Sequence, residues 1–265
     1  MWHKRFFLIS ILFFLLASCQ KPPRGADEIY IGTISGPETE LMEVAQKVAA
    51  EQYHLKIKIF EFEDYTMPNT ALSEGSLDAN LFQHQPYLDL FNQQRGLHLV
   101  AIGKMFVYPM AIYSKKYPRL HDLPQGAKIG IPNDPSNEAR ALKLLQKANL
   151  ITLDKADDLH LTPHKILKNP KQLKFQEVTS AQLPRALDDL DAACINTNYA
   201  LTAGLSPLKD GLFHEGADSP YVNILVVQEA DKDNPKFQLL LKALHSKEVL
   251  EKAHELFGEH ALKGW

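Results

Sequence analysis

Strand-like and helix-like segments alternate along this chain twice over, which restricts it to folds where crossover helices cover sheets. Residues 28–34, Glu-Ile-Tyr-Ile-Gly-Thr-Ile, read as a strand. Gly36-Pro37 breaks it, and 38–53 carries Leu41, Val44, Ala45 and Val48 at helical spacing. Over 55–62 apolar residues alternate with lysines and glutamates, as in a strand with one buried face. A short helix at 68–73, a strand at 78–82, a helix at 86–94 and strands at 97–102 and 106–113 follow. The second run has strands at 127–131, 173–178, 192–196 and 222–228 and helices at 137–148 and 181–188. Helices at 235–245 and 247–257 close the chain. The expectation is an α/β protein of two lobes, each with its own sheet. Lobe one takes 28–107 plus 227–265 and lobe two takes 108–226, with 107–113 and 222–228 as the crossings.

The first residues set the compartment. His3, Lys4 and Arg5 precede an apolar run over 6–16 that only Ser10 interrupts, and Leu16-Ala17-Ser18-Cys19 ends it. A positive start, a short greasy core and small residues before a cysteine make 1–18 a lipoprotein signal peptide. The run is too short to span a bilayer comfortably. Cleavage before Cys19 leaves a thiol for a diacylglycerol, and palmitate-type acylation of the new amino terminus adds another chain. Each buried CH₂ contributes about 0.8 kcal/mol, and more than one chain makes anchoring stable. Residues 19–27, with two prolines and a glycine, read as a tether. The expected location is a cell membrane or outer membrane, lipid-anchored and facing the periplasm or the cell exterior.

Charge and cysteine content narrow the function classes. Of 265 residues, 29 are basic and 32 acidic. Removing 1–18 takes away Lys4 and Arg5, leaving 27 basic residues and a formal net charge of −5. No basic tract survives, which argues against nucleic acid as a partner. With Cys19 lipidated, Cys194 is the only cysteine left, and its apolar surroundings at 190–195 fit a small core residue. The chain has no Gly-x-Ser-x-Gly, His-Glu-x-x-His, Cys-x-x-Cys or Gly-rich phosphate loop, so no catalytic residue is assigned. Of the eleven histidines, His160 and His164 have the spacing of helical metal ligands, but Pro163 lies between them; no metal site is assigned.

Two hinged lobes outside the cytoplasm suit the capture of a small solute. Local sequences then specify a class. Asp64-Tyr-Thr-Met-Pro-Asn69, Asp78-Ala-Asn-Leu-Phe-Gln-His-Gln-Pro-Tyr-Leu-Asp89 and Val107-Tyr-Pro-Met-Ala-Ile-Tyr-Ser-Lys-Lys116 occur in order. Ile131-Pro-Asn-Asp-Pro-Ser-Asn137 follows, with Arg140 beyond it, then Gln182-Leu-Pro-Arg-Ala-Leu-Asp-Asp189. Ile195-Asn-Thr197, Ser219-Pro-Tyr-Val-Asn223 and Lys263-Gly-Trp265 complete the series. Over essentially the whole mature chain it resembles the methionine-binding lipoproteins of ABC importers, the NlpA/MetQ family. The resemblance implies a two-lobed, periplasmic-binding-protein-like (type II) α/β fold with a ligand cleft between lobes. It implies methionine as ligand, L preferred and D also allowed, and an ABC transporter permease with its ATPase as partners, with no cofactor. Methionine-containing dipeptides, another small amino acid, or a metal ion carried as solute are the alternative ligands.

The same resemblance implies the site. Arg140 lies early in a helix, where its planar fork suits a carboxylate. The helix pattern alone leaves a solvent-facing arginine equally open, and the resemblance assigns it to the ligand. Asn196 and Asn223 end or interrupt apolar strand-like runs, where a buried amide must be satisfied. Either structural or ligand-binding use meets that need; by resemblance both contact the ligand's ammonium and carboxylate groups. Tyr65, Phe82, His84 and Tyr87 resemble the family's aromatic pocket, where sulfur sits well against ring edges. The chain departs from the family pattern at Leu81 and Gln85 (commonly Ala and Lys), Glu138-Ala139 (Leu-Gly) and Asn198 (Thr). None of these is an expected contact.

Overall fold

The computed structural model describes residues 25–154, 160–216, 219–258 and 262–265. The signal peptide, Cys19 and most of the expected tether lie outside them. The first run comprises β1 (Glu28–Ile34), α1 (Pro37–Tyr53), β2 (Lys56–Phe62), α2 (Pro68–Ser73), β3 (Ala79–His84), α3 (Gln85–Arg95) and β4 (Leu99–Val107). The second holds β5 (Ala111–Tyr113), β6 (Lys128–Pro132), α4 (Pro135–Lys147), β7 (Thr152–Leu153), β8 (Ile166–Lys168) and β9 (Lys174–Val178). It ends with α5 (Leu183–Ala186), β10 (Ala192–Ile195), α6 (Thr197–Thr202) and β11 (Phe213–His214). The chain then returns through β12 (Val222–Gln228), α7 (Pro235–Leu244), α8 (Lys247–Phe257) and β13 (Leu262–Lys263).

Two sheets share one plan. Their orders are β13-β4-β12-β3-β1-β2 and β11-β5-β10-β6-β9. In the first, β1 lies between parallel β2 and β3, and antiparallel β12 adds beside β3. In the second, β6 lies between parallel β9 and β10, and antiparallel β5 adds beside β10. The β7–β8 pair stands apart from both. Each sheet has its own core. Ile29 and Ile31 of β1 pack with Leu41, Met42, Ala45 and Val48 of α1 and with Phe237 of α7. Ile129 and Ile131 of β6 pack with Leu142 and Leu145 of α4 and with Cys194. Burial pushes the Cys194 thiol up, as befits an inert core residue.

Local chemistry sets the helix starts. Pro37 occupies the first turn of α1, and Gly36 before it has φ +111°, a conformation that suits only glycine. A Cβ there would also come within 2.7 Å of Thr202 Oγ1. Asp134 caps α4 by accepting from the Asn137 N–H, with Pro135 in the first turn.

The crossings differ from the expectation. Residues 106–113 do not form one strand: β4 ends at Val107 and β5 starts at Ala111. Pro109, lacking an N–H, cannot continue the ladder. Return to the first sheet comes between His214 and Val222, ahead of β12, whose pairing with β3 and β4 starts at Asn223 and Val222 respectively. Residues 222–226 therefore belong to the first sheet and not to the second. An apolar strand buried on both faces reads the same in either sheet.

Candidate ligand-binding cleft

The carboxyl ends of the parallel strands of both sheets converge on one place, where open α/β sheets form their ligand crevices. β1 runs into Gly36 and Glu38, β3 ends at His84, β6 leads to Asp134 and Asn137, and β10 leads to Asn196. Between them is a cavity whose non-atom space, part of it open to solvent, is about 360 Å³. Tyr65, Phe82, His84, Tyr87, Arg140, Asn196 and Asn223 all line it. Glu38, Gln83, Tyr108, Asn137, Thr197 and Asn198, not anticipated from sequence, line it too.

One end is aromatic. Tyr65 lies 5.8 Å from Phe82 and 6.1 Å from Tyr87 between ring centroids, and Phe82 meets Tyr87 edge-on at 5.7 Å. Tyr199 of α6 adds a fourth ring 5.0 Å from Tyr65. Hydrogen bonds hold these rings in place. Tyr65 Oη donates to Asn198 Oδ1 at 2.7 Å, and Tyr87 Oη donates to the Tyr65 carbonyl at 2.8 Å. The Tyr65–Asn198 bond spans the two lobes.

The other end is polar. His84 caps α3: its Nδ1 accepts from the Tyr87 N–H, so the ring proton sits on Nε2, facing Asn137 Oδ1 at 3.4 Å. Burial first and Arg140 second hold His84 down at about 3, leaving it neutral. Asn137 Oδ1 also accepts from Asn196 Nδ2 at 2.8 Å. Arg140 is only 4% exposed. Its fork is occupied: Nε donates to Glu215 Oε1 at 2.9 Å and Nη2 donates to Glu215 Oε2 and to the Tyr108 carbonyl. The guanidinium lies over the Tyr221 ring at 4.3 Å. A bidentate clamp on a ligand carboxylate, as expected from sequence, would need Glu215 to leave. Among the described residues Nη1 has no partner and is the donor left over.

Several buried atoms in the wall have no partner among the described residues. Asn196 Oδ1, Asn198 Nδ2 and Glu38 Oε2 are fully enclosed without a hydrogen bond. The Asn223 side chain, 7% exposed, also bonds to no other described residue. Such groups are costly to bury unsatisfied, each by about 1–3 kcal/mol, and three of them in one cavity wall suit a polar guest. A zwitterion with an unbranched apolar tail matches both ends. Among the described residues no cluster of His, Cys, Asp or Glu is placed to hold a metal ion. Glu38 had a readable signal, as it follows directly on a strand's carboxyl end. Glu215 had none, being 75 residues from its partner Arg140.

Comparison with known proteins places this cleft in context. Residues 29–265 match the family profile described as NlpA lipoprotein. The chain is 48% identical to the D-methionine-binding lipoprotein MetQ of Salmonella typhi over 252 residues, 94% of this chain and 93% of that one. Among solved structures, an ABC-transporter periplasmic substrate-binding protein from Coxiella burnetii superposes with a TM-score of 0.87 at 53% identity, covering 89% of this chain and 100% of that one. A nutrient-binding protein from Burkholderia cenocepacia bound to methionine gives 0.88 at 48% identity, with the same two coverages of 89% and 100%.

Proposed function

The chain belongs to the NlpA lipoprotein family, and from that premise we propose that it is an extracytoplasmic solute-binding lipoprotein that captures methionine and delivers it to an ABC importer. One observation carries the reading: a single cavity joins unsatisfied amides and a buried guanidinium to an aromatic chamber. In the proposed pose the ligand carboxylate takes Arg140 Nη1, and Asn196 Oδ1 and the Asn223 amide take the ammonium. The thioether lies against Tyr65, Phe82, His84 and Tyr87, where each sulfur–ring contact is worth about 0.3–1.5 kcal/mol. His84 serves as a neutral wall, and the protein binds its ligand without transforming it.

L-methionine is the preferred ligand in this reading, and the D form is also accepted. The lobes open and close about the crossings between the two sheets, with methionine favouring the closed state by its higher affinity for it. A permease and its ATPase receive the ligand, and lipid on Cys19 holds the protein at a membrane surface outside the cytoplasm. A thermal-shift screen of ligand-stripped protein against amino acids, Met-containing dipeptides and divalent metals tests the reading. Methionine at 100 times its Kd stabilises the fold by about 2.7 kcal/mol. No shift with either methionine isomer, alongside a shift with another solute, would overturn it.

A further inference from the structure

Glu38 stands out among the groups that the proposed pose leaves unused. It is 3% exposed, lies in the first turn of α1, lines the cavity, and its Oε2 has no partner among the described residues. A surface carboxylate would have turned to water or a cation, as Glu40 two residues on does by pairing with Lys252 of α8 at 2.9 Å. Gly36 and Pro37 direct the chain so that Glu38 turns inward. The groups facing it are the phenols of Tyr65, Tyr108 and Tyr199, all held protonated by burial. His84 in the same cavity is neutral, and Arg140 is charge-balanced by Glu215. The cavity thus contains an acid with no resident cation to match it.

Resting on the methionine reading above, we propose that Glu38 is a ligand-contacting residue that forms an ion pair with the α-ammonium group of the bound amino acid. Neutral amides alone would orient an ammonium without balancing its charge, and a buried cation needs a counter-ion. In the empty cavity, burial pushes the Glu38 carboxyl up to about 8, so it carries its proton at neutral pH. Entry of the zwitterion reverses the preference. The carboxylic acid O–H breaks, its proton passes to solvent, and the resulting carboxylate accepts from the ammonium; one proton leaves for each ligand bound. The empty cavity thus holds no unpaired buried anion between cycles, and in the filled one the new carboxylate lies against the ammonium.

Calorimetric titration of the stripped, mature protein with L-methionine at pH 7, in phosphate and in Tris, tests this without any variant. The expected result is a binding heat that depends on the buffer, corresponding to release of close to one proton, and an affinity that rises from pH 6 to pH 8. E38Q should lose the buffer dependence and the pH dependence together and bind on the order of 30-fold more weakly. Methionine binding that is buffer-independent, with E38Q as tight as wild type, would overturn the role of Glu38 and leave the methionine reading intact. Absence of any methionine binding by the wild-type protein would overturn both.

Discussion

Two groups of buried amides near the cleft behave in opposite ways. Asn69, Asn80 and Gln83 form a closed set: Asn69 Nδ2 donates to Gln83 Oε1, while Asn80 Nδ2 and Gln83 Nε2 donate to Asn69 Oδ1. Gln83 Nε2 also donates to Asn80 Oδ1, so every side-chain amide end is used, and α2 is fastened to β3. Asn196 and Asn198 in the cavity wall instead each leave one buried amide end unused, and Asn223 lines the same cavity. The same residue type is structural where its capacity is exhausted and available for binding where it is not. Burial alone would not separate the two groups.

Arg140 belongs to both categories, and the largest effect is expected there. Arg140→Ala strips a buried carboxylate of its partner, so Glu215 is left uncompensated and the fold loses about 3–5 kcal/mol. Denaturant unfolding checks this, and a variant as stable as wild type would break the ion-pair account. From the sequence alone, an arginine serving only the ligand would be removable with the fold intact. Next in size is Asn69→Ala, which orphans ends of both Asn80 and Gln83 and should cost about 2–3 kcal/mol of stability. The folded fraction should bind as before; a pure loss of affinity would erase the contrast. Asn223→Ala should do the reverse, weakening methionine by about 1–3 kcal/mol with the unfolding midpoint unchanged. Calorimetry paired with thermal melting separates these outcomes.

The pH dependence sharpens the contrast further. His84 falls from 6.5 to about 3 in the fold, so the unfolded chain takes up a proton there first and stability is lost as pH drops below about 6.5. Glu38 rises from 4.5 to about 8, so its contribution is present below 4.5 and is lost as pH climbs towards 8. The two slopes oppose one another between 4.5 and 6.5. E38Q removes the Glu38 slope, so between 4.5 and 6.5 its unliganded stability should fall more steeply than that of wild type as pH drops, by about 1 kcal/mol per pH unit. Parallel curves for wild type and E38Q would show that Glu38 is not a buried acid.

Much of the fold was legible because β/α alternation and proline-marked helix starts are local signals. Pro37, Pro68, Pro135 and Pro235 each stand in the first turn of a helix. The crossings were less so, since an apolar strand such as β12 does not announce which sheet it joins. All seven sequence-derived site residues line one cavity, as motifs at the carboxyl ends of parallel strands would. What sequence could not give was pairing over distance. Glu215 commits the Arg140 fork across 75 residues, and Asn198 joins Tyr65 across 133. Asn198, a departure from the family pattern and not an expected contact, is part of the wall. Its role depends on which neighbour the closed lobes bring to it.

Equilibrium dialysis of labelled L-methionine against ligand-stripped mature protein measures capture of the amino acid itself. One methionine should bind per chain. Unlabelled methionine should displace it fully. Norleucine should displace it somewhat less well, having lost only the sulfur contacts of about 0.3–1.5 kcal/mol each. The des-amino analogue 4-(methylthio)butanoate, which has no ammonium for Glu38, Asn196 and Asn223 to hold, should hardly displace it. No retained methionine, or displacement by the des-amino analogue as effective as by methionine itself, would rule out a site that holds methionine by its ammonium group.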